Sequence, residues 1–123
     1  MNVITEHYAF GEDGLIVAVG ISIRTSKSLF DTYHEEFHAI VRMTVDEARE
    51  AIRALRSPHY SEFEKALDDG SYIDIVSERP EDSWIEWHDS DGRSLCESFV
   101  FGRDGWSEPF AEAIKRGIKE ALL

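Results

Sequence analysis

His34-Glu35-Glu36-Phe37-His38 is the segment of this 123-residue chain whose residue types and spacing come nearest to a reaction centre. It fits H-E-x-x-H, in which two imidazoles four residues apart on one helix face hold zinc and the glutamate between them acts as general base. Glu62 or Glu64 would supply a third ligand, giving a small metal-dependent hydrolase. That chemistry requires a helix. Phe37 to Met43 is instead rich in apolar and β-branched residues, and a helix-capping sequence begins only at Thr44. On a strand, His34 and His38 share a face but stand about 13 Å apart at ~3.3 Å per residue, too far to hold one ion. The strand reading is preferred, so no catalytic residue, metal ligand or cofactor is assigned.

Other motifs have simpler explanations. Asp89-x-Asp91-Gly92 resembles part of a calcium loop, but Trp87 and Ser98 occupy positions where an EF-hand needs acids. Asp-Gly is the chemistry of a hairpin turn. Cys96 would need His88 across a hairpin to act as a nucleophile, and a lone cysteine beside Phe99 and Val100 reads as a small buried apolar group. The chain has no P-loop, no dinucleotide fingerprint and no nucleophile elbow. Carboxylate pairs (Asp68-Asp69, Glu81-Asp82, Asp89 with Asp91) are too abundant for any one to be informative.

Charge is more telling. The net is −12, and residues 61–112 carry 15 acids against Lys65, Arg79, Arg93 and Arg103, a net of −11. Such an excess works against compaction and favours solubility or attraction to a basic partner. It argues against direct nucleic-acid binding, which needs clustered Lys and Arg, and against anionic membranes. Glu78, Glu81, Asp82, Glu86, Asp89 and Asp91 fall within 14 residues, with Trp84 and Trp87 among them. On a strand the two tryptophans point to opposite faces, so at most one joins the core. An aromatic anchor ringed by carboxylates suits a protein interface. These eight residues are the candidate partner-binding set. The expected function is an acidic inhibitor of a basic, nucleic-acid-handling protein such as a nuclease, in a toxin-immunity or phage anti-defence (anti-CRISPR-like) setting, acting as a nucleic-acid mimic. A non-catalytic accessory or oligomer subunit is the bland alternative, and oligomeric state is not specified by the sequence.

The elements that must position these residues follow from periodicity. Asn2 to Phe10 and Leu15 to Thr25 read as a hairpin across Gly11 to Gly14, the second strand alternating Leu15, Val17, Val19, Ile21 and Ile23 against its other face. Ser26 to His34 reads as a loop and Glu35 to Met43 as a third strand. Thr44-Val45-Asp46-Glu47 is a capping box opening a helix to about Arg56. Ser57-Pro58 then predicts a second helix with Tyr60, Phe63 and Leu67 inward, stopped at Gly70. Tyr72 to Ser77, Trp84 to His88 and Arg93 to Phe101 read as strands, with turns at Asp89 to Gly92 and at Gly102 to Gly105. A last helix starts at Ser107 and buries Phe110, Ala113, Ile114, Ile118 and Leu122. The order βββααβββα predicts one α+β domain over 1–123, with about six mostly antiparallel strands in one sheet and the helices mainly on one face. Met1 to Phe10 does not read as a signal peptide, Leu15 to Val19 is far too short to span a bilayer, and the single cysteine excludes an internal disulfide. The expected location is the cytoplasm.

Overall fold

The computed structural model describes residues 2–26, 34–79, 82–101 and 107–123. The architecture is α+β, in the order β1 (Asn2–Glu12), β2 (Ile16–Ser26), β3 (His34–Thr44), α1 (Val45–Arg56), β4 (Ser61–Ala66), β5 (Tyr72–Arg79), β6 (Asp82–His88), β7 (Ser94–Phe101) and α2 (Ser107–Ala121). The strands form two antiparallel meanders, β1-β2-β3 and β4-β5-β6-β7.

The first meander follows its alternation. Val17, Val19, Ile21 and Ile23 of β2 and Ala39, Val41 and Met43 of β3 enter the core together. Leu15 lies in the turn with φ of 61° instead of opening the strand. Thr44 caps α1 as its sequence requires: Glu47 N donates to Thr44 Oγ1 at 3.1 Å, and Thr44 N donates to Glu47 Oε1 at 2.9 Å. Val45, Ala48, Ala51, Ala54 and Leu55 form its buried stripe.

Two expectations are corrected. The segment from Ser57 to Gly70 is not a helix but the strand β4 and its turn, so the order is βββαββββα. Ser-Glu-Phe-Glu-Lys-Ala has one strongly apolar position, Phe63, which either period accommodates. Pairing along its whole length with β5, from Ser61 opposite Ser77 to Ala66 opposite Tyr72, decides for the strand. Gly70, at φ of 88°, turns this hairpin instead of stopping a helix, and Leu67 N donates to Ser71 O at 2.8 Å. The second correction is the sheet: seven strands in two sheets replace about six in one. α1 carries the chain from the edge strand β3 to β4, which starts a new meander. The helices do not cover one face of a single sheet. α2 packs on β1, β2 and α1, while α1 touches β3, β4 and β5, so one core joins all layers.

Helix α2 sits very close to the first sheet. A Cβ at Gly117 would lie 2.9 Å from Val17 Cγ1 and 3.2 Å from Ala9 Cβ. Farther along the helix, Gly11 N donates to Glu120 Oε2 at 2.9 Å. In an open helix Gly→Ala gains up to about 1 kcal/mol of propensity. Here the added methyl must push a packed strand, at about 1–3 kcal/mol. Gly117→Val, which adds a branched side chain at that contact, is therefore expected to destabilise the fold by at least about 2 kcal/mol, read as a lower urea midpoint with an unchanged m-value.

Candidate acidic recognition face

Period two within the second sheet creates the site. Phe63 of β4, Ile73 and Ile75 of β5, and Ile85 and Trp87 of β6 are core residues. Their neighbours in sequence therefore belong to the other face: Glu62 and Glu64; Tyr72, Asp74 and Val76; Trp84, Glu86 and His88. Strand register then aligns Glu64 with Asp74, Asp74 with Glu86, and Glu86 with Glu97. One acidic position follows another straight across all four strands. Like charges directly opposite one another destabilise a sheet.

Asp74 is the centre of this row. It is 6% exposed, and its Oδ1 has no hydrogen-bond partner. It shares a hydrogen bond with Glu62, which also accepts from the Tyr60 hydroxyl at 2.9 Å. Burial pushes the Asp74 carboxyl up to about 8, helped by that bond and by the charges of Glu62, Glu64 and Glu86. Glu62 is exposed and is held below its ordinary range, first by the bond from Asp74 and then by Tyr60. Near neutral pH Asp74 is thus the protonated donor and Glu62 the carboxylate acceptor.

Next to the row, the Tyr72 ring stacks on the His88 imidazole, with centroids 4.8 Å apart and planes 17° from parallel. His88 Nε2 lies 3.6 Å from Glu86 Oε2, and its buried Nδ1 has no partner. Desolvation raises the Tyr72 phenol pKa, and Glu64, Asp74, Glu86 and Asp89 add to the rise.

Several carboxylates elsewhere are paired with bases. Arg56 Nη2 meets Glu108 at 2.7 Å and Glu112 at 2.5 Å, Arg42 meets Glu12 at 2.8 Å, and Lys65 meets Glu47 at 2.8 Å. Among the described residues, no Lys or Arg pairs with Glu62, Glu64, Asp74 or Glu86.

The eight residues expected from sequence scatter. Glu81 lies outside the described residues, and of Glu78 and Asp82 only the strand backbone is described. Trp87 is core, 9% exposed, with Nε1 donating to Ser71 Oγ at 3.3 Å, whereas Trp84 is half-buried on the carboxylate face. Glu86 stands in the row. Asp89 holds the turn, its Oδ1 accepting from the amides of Asp91 and Arg93, both at 2.9 Å, while Asp91 is exposed at the tip. His34 and His38 are on β3, opposite Ser26 and Ser22, and His38 Nδ1 is 2.7 Å from Ser22 Oγ. Cys96 is paired with Trp87, and His88 with Ser94, so cysteine and histidine are not opposite one another. Sequence reasoning missed Glu62 and Glu64 as strand residues, Asp74 and Tyr72 as site residues, and His88 except as a partner for Cys96. Their signal is three short alternations, E-x-E, Y-x-D and E-x-H, which gain meaning only once the register is known. Compared with family models, curated proteins and solved structures, the chain matches none.

The Asp74 environment has a consequence for stability. An acid with a raised folded-state pKa keeps its proton longer in the folded protein than in the unfolded chain, so stability declines as pH rises from about 4 to about 8. Asp74→Asn carries no titrating group. It is expected to flatten that decline and to be more stable than the parent by about 1–3 kcal/mol at the alkaline end. Urea unfolding of the metal-free protein across this range measures both effects. A parent whose stability rises with pH in step with the variant would contradict them.

Proposed function

We propose that the chain is a binding protein that docks a basic, nucleic-acid-handling partner on the carboxylate face of β4–β7 and blocks it. The observation that carries this reading is that Glu62, Glu64, Asp74 and Glu86, brought together by strand register, have no Lys or Arg partner among the described residues, whereas Glu12, Glu47, Glu108 and Glu112 do. Arg and Lys from a partner would relieve the mutual repulsion of Glu62, Glu64 and Glu86. Strand pairing fixes the backbone spacing of these positions before a partner arrives, so only side-chain ordering opposes binding. The carboxylates would stand where phosphates stand on a nucleic acid, and would release the partner's counterions as phosphates do. Trp84, half-buried beside Glu86, supplies an aromatic contact. Neutralisation of a nuclease toxin and disarming of a defence nuclease both meet this description. The hydrolase alternative loses its support, because the H-E-x-x-H segment is extended and His38 bonds Ser22.

Glu62 and Glu64 test the reading better than Asp89, whose carboxylate holds a turn. After the partner is captured from the native host, association is measured at low and high salt. The double variant Glu62→Lys/Glu64→Lys is expected to associate at least about tenfold more slowly at low salt while keeping its melting temperature within a few degrees. Parent affinity is expected to fall steeply with salt. Salt-independent binding, or equal binding by the double variant, would refute the docking face.

A further inference from the structure

We propose that Asp74, Glu86 and His88 form a binding site for a divalent transition-metal ion of the Zn²⁺ or Mn²⁺ type at the β5–β6 centre of the carboxylate face. This goes beyond the docking reading and stands without it. The three donors come from adjacent strands. Asp74 and Glu86 are directly opposite, and His88 lies two residues along the same face. A ligand atom from each lies within 4.8 Å of the other two. Donors around one ion at about 2.1 Å can be no more than about 4.2 Å apart, so side-chain adjustments of roughly half an ångström close the set.

Two further observations separate this cluster from an ordinary acidic patch. Asp74 is more than nine-tenths buried, yet its Oδ1 has no partner. His88 Nδ1 is buried and equally without one. Orphaned polar atoms in a fold are costly; a cation among the three donors would satisfy the Asp74 carboxylate and engage one imidazole nitrogen, Nε2 being the one that lies 3.6 Å from Glu86 Oε2. The stacked Tyr72 ring fixes the plane of the imidazole, as supporting residues do for metal-bound histidines. Two carboxylates and one imidazole make a mixed oxygen–nitrogen set. That set disfavours Ca²⁺ and Mg²⁺, which take oxygen ligands, and soft ions, which take thiolates.

The test uses the full chain, stripped with chelator and titrated with ZnCl₂ alone. Calorimetry is expected to give one equivalent per chain with micromolar or tighter affinity, and the melting temperature is expected to rise by about 5 °C or more at saturation. His88→Gln and Asp74→Asn should each weaken binding at least about tenfold, while Glu50→Gln, exposed on α1, should leave it unchanged. X-ray absorption on the zinc-loaded parent gives an answer even if those variants misfold: a nitrogen–oxygen shell with imidazole scattering supports the site, and a shell without imidazole overturns it. No saturable binding by the parent, or several weak equivalents that His88→Gln does not alter, also overturns it.

Discussion

The second sheet depends on the burial of four side chains, Ile73, Ile75, Ile85 and Trp87, in the core shared with the helices. Each contributes about 1.5–3 kcal/mol on leaving water. Their alternation fixes which face of β5 and β6 is apolar, and a slip of one residue would place all four on the wrong side. The same register brings Asp74 opposite Glu86 and Glu64 opposite Asp74. Unfavourable cross-strand pairs cost up to about 1 kcal/mol each. Apolar burial is several times larger, so the fold holds the carboxylates together against their repulsion. The acidic row follows from the core; it does not contribute to it.

The rest of the molecule manages its charge differently. Arg56 joins α1 to α2 by meeting both Glu108 and Glu112, at the place where the two helices pack. Arg42 ties β3 to β1, and Lys65 ties β4 to the capping glutamate of α1. These pairs are partly exposed, and each adds little stability by itself. Their effect on the charge distribution is greater, because the acids they neutralise no longer compete with the unpaired row. Lys115, Arg116 and Lys119 are exposed on the later turns of α2, where they complement the helix dipole. Among the described residues, Glu62, Glu64, Asp74 and Glu86 of the second sheet have no such Lys or Arg partner.

How much of this the sequence carries depends on how local the deciding interaction is. The capping box at Thr44, the alternation of β2, the apolar stripe of α2 from Phe110 to Ile118 and the Asp89 turn each rest on contacts a few residues long, and each is readable, although Leu122, expected in that stripe, is exposed. So is the opposition of Trp84 and Trp87, which needs only a strand. β4 was not readable, because one phenylalanine among polar residues satisfies either period and a distant strand made the choice. The row Glu64–Asp74–Glu86 was hidden for the same reason. Its members are separated by ten and twelve residues, and only the pairing of β4, β5 and β6 brings them into line. The charge excess could be counted, but its arrangement could not.

Asp74 concentrates the departures from local rules. Aspartate is disfavoured in strands, and β5 lies inside its sheet with a neighbour on each side. The residue faces carboxylates on both neighbouring strands, and one of its oxygens is buried without a partner. A valine or threonine would suit the position on every one of these counts, and Val76, two residues on, shows that the face accepts an apolar side chain. Proteins break local rules mainly where something other than folding sets the residue, and here three departures converge on one side chain. His38 of the H-E-x-x-H segment shows no such tension, since it is bonded to Ser22 on an ordinary antiparallel pair. The strain in this fold therefore lies away from its most recognisable motif, at an aspartate that no motif marks.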